Sequence, residues 1–296
     1  MNPVGPSLRL AFLVFCVISL VPRLRADDKS LADAVALVKA HHPSEALPLL
    51  AAIVDREPAN TQALWYLGKA NLLMQRREEA AAFLERAVKL SPHDPRILAD
   101  YGTACLLRAS DLGVSFTSIG YARRGRDALL EAVQLAPDVI AYREGLVAFY
   151  RKAPGIVGGS MAKAYAQADE IIKRDPVRGS ILKATVQAED KKYDEARAAC
   201  EKALHLQPDN YMALYTLGRI ASESGQELPR GEQALRHCLE LKPAIQEPDF
   251  AGVHYRLGLI AEKGGHLDVA RAEYQISVKL DPTFEPAATG LARLTQ

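Results

Sequence analysis

"LWYLGKANLLMQRREEAAAFLERAVKLSP", residues 64–92, returns twice more along the chain. It reappears as "LYTLGRIASESGQELPRGEQALRHCLELKP" (214–243) and as "VHYRLGLIAEKGGHLDVARAEYQISVKLDP" (253–282). Each copy holds a large residue, a Leu-Gly pair, a polar turn, a small residue opening a second apolar run, and a closing proline. Apolar residues recur at three- and four-residue spacing in both runs, the stripe of an amphipathic helix. The unit is therefore two helices joined by a short turn.

Gly68, Gly218 and Gly258 fall in the middle of the first helix, where glycine costs about 1 kcal/mol relative to alanine. That cost is tolerable where the missing side chain lets a second helix come close. Ala80, Ala196 and Ala270 stand at the matching place on the partner helix. Pro92, Pro208 and Pro282 end the second helix, since proline cannot continue one.

These residues closely resemble the tetratricopeptide repeat, a helix–turn–helix unit of about 34 residues. Residues 61–94 match its spaced small and large positions at Leu64, Leu67, Gly68, Ala80, Leu84, Ala87 and Pro92, and depart from it at Asn71, where the family usually has tyrosine. Residues 177–210 and 251–284 fit without gaps, the former with Ala184 in place of the glycine. Residues 211–243 fit with one extra residue and Gly231 in place of alanine. Two units are stretched. One runs from Pro95 through Tyr101-Gly102 to Pro137, with an enlarged inter-helix turn at 109–120. The other carries Gly145 and closes at Pro176, with an enlarged turn at 153–159. Residues 27–60 read as a degenerate first repeat, with Ala46, Leu50 and Pro58 in register. Residues 61–284 hold about six repeats, and 285–296 a capping helix. The resemblance implies an all-α, right-handed superhelical solenoid of stacked helix–turn–helix repeats.

The first 26 residues stand apart. Arg9 precedes the apolar stretch of "LRLAFLVFCVISLV", which is shorter than the about 20 residues of a comfortable membrane span. "PRLRA" follows, and the chain turns acidic at Asp27 and Asp28. Residues 1–26 thus read as a signal peptide cleaved after Ala26, with an uncleaved N-terminal anchor as the alternative. The expectation is an exported protein, periplasmic or secreted, that does not insert in a membrane after cleavage. The net charge of +1, or −2 without Arg9, Arg23 and Arg25, provides no field for nucleic acid.

Past the leader, Cys105, Cys200 and Cys238 are odd in number and widely spaced, which is no disulfide framework. They fall on inward positions and read as buried packing residues. No His, Cys and carboxylate cluster has zinc-like spacing, and no HExxH or GxSxG motif occurs. The expectation is a protein that is not an enzyme and takes neither metal nor cofactor.

"APGIVGGSMAKAYA" (153–166) has the look of a phosphate loop but lacks Gly-Lys-Ser/Thr after four spacers and a preceding strand. It reads as an enlarged turn in which Ser160 caps the helix from Met161. An anion held at Gly158, Gly159, Ser160 and Lys163 is the competing reading. "ARRGRD" (122–127) is the densest basic patch and reads as a solvated face or a contact for an acidic partner.

The resemblance further implies a concave wall built from first helices. One groove-facing position per unit reads Trp65, Ala99, Tyr142, Ile181, Tyr215 and Tyr255; a turn later the same face shows Lys69, Thr103, Leu146, Thr185, Arg219 and Leu259, then Phe149. Aromatic side chains with polar tips make rigid contact surface. The candidate partner-binding groove is therefore Trp65, Lys69, Tyr142, Leu146, Phe149, Tyr215, Arg219 and Tyr255, set against plain packing of those rings between units. The function expected is capture of a protein or peptide segment in the cell envelope, with Lys69 and Arg219 selecting acidic or C-terminal groups. Two other readings stay open: a ligand-binding accessory using the glycine-rich turn, and a self-assembling module.

Overall fold

The computed structural model describes residues 21–244 and 247–294, which contain helices and turns and no strand. The helices are α1 (Val21–Lys39), α2 (Pro43–Arg56), α3 (Thr61–Leu73), α4 (Arg77–Leu90), α5 (Pro95–Asp111), α6 (Phe116–Leu135), α7 (Ile140–Lys152) and α8 (Met161–Ile172). They continue as α9 (Pro176–Glu189), α10 (Tyr193–Leu206), α11 (Tyr211–Ser224), α12 (Leu228–Glu240), α13 (Phe250–Lys263), α14 (Leu267–Leu280) and α15 (Glu285–Leu294). They fall into two compact units, one ending at Ser91 and one beginning at Pro92. In the first, α1 packs on α2 and α3 on α4; in the second, pairs from α5–α6 to α13–α14 stack in order and α15 covers α14.

The closing prolines do more than stop a helix. Two residues after Pro58, Pro92 and Pro208 comes Asn60, Asp94 or Asn210, and each side chain caps the next first helix. Asn60 accepts from Ala63 N at 3.0 Å and Asn210 from Ala213 N at 3.0 Å, so an otherwise orphaned N–H of the first turn is satisfied. At the other end of all the first helices but α7 the chain turns through a left-handed residue. His41, Gln75, Gly113, Lys191, Gly225 and Gly265 occupy this place in six repeats, with φ between 58° and 80°. His41 puts the divergent first repeat in the same geometry as the regular ones.

Inside each pair the glycine is filled from across the interface. A β-carbon on Gly68 would lie 2.4 Å from Leu84 Cγ, and one on Gly218 would lie 2.2 Å from Leu235 Cγ. In the unit where Ala184 replaces glycine, the residue in register with Leu84 is Cys200, and both are fully buried. A methyl gained on one helix is matched by a smaller side chain on the other, as close packing requires. Asn71, at the family's usual tyrosine position, is buried and satisfied locally by donating to Leu67 O at 2.8 Å.

Three expectations need correction or placement. Residues 109–120 are not an enlarged turn: α5 runs to Asp111 and α6 starts at Phe116, so the extra sequence lengthens both helices. The turn stays short because Ser115 and Ser118 cap each other's backbone N–H, closing a capping box at the start of α6. Gly145 does not face its own partner helix; a β-carbon there would meet Leu129 of α6, in the preceding pair, at 3.1 Å. Most of the leader segment 1–26 lies outside the described residues, among which no helix is long and apolar enough to cross a membrane.

Candidate functional site

The groove set predicted from the repeat frame divides in two. Leu146 is fully buried and Phe149 nearly so, which removes both from any surface that meets a partner. Their helix α7 is rolled, with Arg143, Leu146, Val147, Phe149 and Tyr150 forming its buried stripe. The frame misplaced them because apolar residues cluster on that side and Gly145 no longer fixes the helix against α8. Trp65, Tyr142, Tyr215 and Tyr255 all keep part of their surface in solvent.

In the first unit the Lys69 ammonium lies 5.5 Å from the centre of the Trp65 ring, a cation–π pair one helical turn apart. In the second unit burial, reinforced by Asp100 and Asp94, pushes the Tyr142 phenol above its ordinary range. Tyr215 lies half-buried against the core formed by α9 to α13. Tyr255 is a packing residue, with its ring 6.0 Å from that of Tyr274 and 5.4 Å from that of Phe284.

Ion pairs tie neighbouring first helices of this unit together. Arg178 of α9 grips Glu144 of α7 with two N–H groups, and Arg151 of α7 meets Glu189 of α9 at 3.0 Å. Arg256 of α13 meets Glu223 of α11 at 3.3 Å. Arg219 lies 3.9 Å from that same Glu223 and is only 17 % exposed. Arg219 shares that one carboxylate with Arg256 and is mostly buried, so little of its guanidinium is open to meet an acidic group.

Between α7, α9 and α11 the wall opens into a cleft of about 550 Å³, within the usual range for a ligand-sized recess. Val177, Ile181, Leu182 and Met212 give it an apolar floor, and Glu144, Asp175, Arg178 and Glu247 stand around it. The hydrogen bond from Arg178 to Glu144 raises the arginine's already high pKa and neutralises that carboxylate. Asp175 accepts from Arg178 N at 2.9 Å as the cap of α9, and Glu247 accepts from Ala244 N at 2.7 Å. Neither has an ion-pair partner among the described residues. The cleft is therefore apolar with a net negative rim, which favours an apolar side chain beside a cationic one.

Ile181 and Thr185 were on the predicted groove face. The acidic rim was missed because Asp175 and Glu247 lie in connections outside the first-helix pattern, and only the fold brings them beside α9. Asp175 immediately precedes Pro176 and serves as the cap of α9.

The glycine-rich turn spends its own amides and the Ser160 hydroxyl on local hydrogen bonds. Gly158 N donates to Gly155 O at 2.9 Å, Gly159 N to Pro154 O at 3.2 Å and Ser160 N to Tyr150 O at 2.8 Å. Ser160 Oγ is occupied by Lys163 N, and the Lys163 ammonium lies 5.6 Å from the Tyr150 ring. A β-carbon on Gly159 would strike Ala153 O at 1.7 Å, so glycine is there for the turn.

The cysteines Cys105, Cys200 and Cys238 are free and buried, and burial pushes the Cys200 and Cys238 thiols up to about 12. His237 pairs with Asp209 at 3.1 Å. No group of three metal-ligating side chains comes together among the described residues.

Comparison with known proteins agrees with the geometry. The family model described as "Tetratricopeptide repeat" matches residues 31–95, 158–211 and 181–244, together just over half of the chain. A cellulose synthase operon protein C from Pseudomonas fluorescens (strain SBW25) is 30 % identical over 135 residues, covering 44 % of this chain but only 10 % of that protein. This chain thus spans about a tenth of that relative's length. Among solved structures, a tetratricopeptide repeat protein from Parabacteroides merdae ATCC 43184 superposes with a TM-score of 0.68 at 14 % identity, covering 92 % of this chain and all of that one. The Cut9–Hcn1 hetero-tetramer of the APC/C gives 0.60 at 14 % identity over 91 % of this chain and 49 % of that one. A thermophilic repeat protein of the same kind from Thermus thermophilus gives 0.51 at 19 % identity over 67 % of this chain and 98 % of that one. At these identities the likeness is one of fold.

Proposed function

We propose, starting from a chain that belongs to the tetratricopeptide repeat family, that it is a non-catalytic scaffold which takes a protein segment on its first-helix wall. Proteins of this family generally mediate protein–protein interaction. The observation that carries the finer reading is the cleft between α7, α9 and α11, with its apolar floor of Val177, Ile181, Leu182 and Met212 and its acidic rim. The segment it suits presents an apolar side chain next to a lysine or arginine.

Fluorescence anisotropy with short labelled peptides tests this directly. Peptides pairing an apolar residue with Lys or Arg should bind, and matched peptides carrying Asp or Glu should not. Ile181→Lys, at a partly exposed position on the cleft floor, should abolish binding without loss of helicity. Equal binding of both peptide sets, or indifference to Ile181→Lys, would overturn the reading. A location in the cell envelope is part of the proposal and is supported by the arginine-flanked apolar stretch within residues 1–26. Fractionation of cells producing the chain with and without those residues checks it.

A further inference from the structure

The α5–α6 hairpin is longer than its repeat needs. The two helices cross where glycine meets glycine: a β-carbon on Gly102 would lie 2.9 Å from Gly125 O, and one on Gly125 2.8 Å from Gly102 O. The next connection, from α7 to α8, is pinned to α6 by Arg126, whose Nη1 donates to Val157 O at 3.1 Å. Phe116 opens α6 ten residues before Arg126. At a rise of 1.5 Å per residue the hairpin continues about 15 Å beyond that neighbouring turn.

Its tip, "LGVSF" (112–116), carries no charge. Val114 is 100 % exposed and Phe116 95 %. Scattered exposed apolar residues are ordinary, but an aliphatic and an aromatic side chain together on a projecting tip leave an uncovered contact point. Arg123 and Arg124 follow seven and eight residues after Phe116 on the same helix, roughly 10–12 Å behind it. Both are exposed. Neither has an ion-pair partner among the described residues, and Arg124 rests 4.5 Å from the centre of the Tyr121 ring. From residue 103 to 126 Asp111 is the sole acidic residue, against Arg108, Arg123, Arg124 and Arg126.

We propose that this tip docks in the surface of an anionic bilayer, with Val114 and Phe116 entering the boundary of headgroups and acyl chains. Arg123 and Arg124 then meet lipid phosphates. Interfacial apolar groups settle about 5–10 Å deep, which leaves arginines 10–12 Å behind the tip at headgroup level. A protein partner or a second copy would cover the apolar pair without requiring cations set back by one headgroup layer. Ile156, 74 % exposed, sits on the turn held at the level of Arg126 and is too far back to enter. Docking of this kind is peripheral and needs no spanning helix.

The test places a reporter on the hairpin itself. The chain has one tryptophan, so Trp65→Phe with Phe116→Trp leaves a single one at the tip. With phosphatidylcholine vesicles containing about a third phosphatidylglycerol, its emission should shift to the blue and be quenched by brominated acyl chains. Vesicles of phosphatidylcholine alone should leave it unchanged. Val114→Asp should lower partitioning on the order of tenfold or more, and Arg123→Ala with Arg124→Ala about tenfold. Val114, Phe116, Arg123 and Arg124 are all exposed, so circular dichroism should stay constant across the tip variants. Binding through another segment of the chain would not move the reporter. An introduced tryptophan that ignores anionic vesicles would overturn the proposal. So would a dimer abolished by Val114→Asp in the absence of any response to lipid, which would assign the tip to self-association.

Discussion

The ring of Tyr274 occupies the space that a side chain on Gly258 would need: a β-carbon there would lie 2.4 Å from Cε1. The opposite edge of the same ring is closed by Gly290 of α15, whose β-carbon would fall 3.0 Å from Cε2. Held from both sides, the ring cannot retreat. Gly258→Ala should therefore destabilise the protein by about 1–3 kcal/mol, although alanine is the better helix former. Gly120→Ala, in a helix where nothing approaches closer than 4.0 Å, should stabilise it by up to about 1 kcal/mol. Urea denaturation of the two variants should show opposite signs, and a stabilising Gly258→Ala would contradict the packing.

Ala184 and Cys200 offer a stricter trial of the same idea. Cys200→Leu restores the large residue found at Leu84 but meets a methyl where Gly68 has none. It should cost about 1–3 kcal/mol. Adding Ala184→Gly should recover part of that loss, so a double-mutant cycle should give coupling of at least about 0.5 kcal/mol. Additive effects would mean that the two side chains do not share one space.

The Cys200 and Cys238 thiols should be inert in the folded protein. Both are buried, and burial holds their ionisation near 12, so the thiolate is scarce at neutral pH. Reaction with an aromatic disulfide should be slow in buffer and fast in denaturant. Rapid labelling of native protein would show that the repeats open far more easily than their packing implies.

The C-terminal cap has a titratable lock. Tyr274 donates to Glu262 Oε2 at 2.7 Å, and Arg293 of α15 meets the same oxygen at 2.6 Å. Burial opposes ionisation of Glu262, but the hydrogen bonds from Arg293 and Tyr274 outweigh it and hold the carboxyl below its ordinary 4.5. A carboxyl lowered in the folded state stabilises above its unfolded value, and that contribution is lost as pH falls from about 4.5 through the folded one. Arg293 is about half exposed, so the effect is on the order of 1 kcal/mol or less. Glu262→Gln should flatten this part of the stability–pH curve, as followed by thermal melting.

What was legible in the sequence was whatever the repeat copies. Gly68, Gly218, Gly258 and Leu84 occupy fixed offsets, so one unit explains the others. Legibility failed where a unit departs from the frame. Residues 109–120 look like a turn because Gly113 and Gly120 interrupt the pattern, yet Ser115 restarts a helix between them. Leu146 and Phe149 were assigned by offset from Gly145, whose helix is rolled. The acidic rim is set by connections, where no period applies.

That rim supports a prediction that separates charge from structure. Asp175 caps α9 through a single oxygen, and asparagine caps a helix equally well. Asp175→Asn should therefore leave α9 intact while removing a negative charge, and Glu247→Gln can still accept from Ala244 N. If the rim selects cationic segments, the paired variant should weaken binding of an apolar–basic peptide about three- to tenfold at low salt. The difference should shrink as ionic strength rises and the Debye length falls to about 8 Å or less, because only the screened part of the attraction has been removed. Melting should be unchanged. A variant that binds the same peptide equally well at low salt would leave the apolar floor of Ile181 and Met212 as the only recognition element, and the preference for basic partners would be wrong.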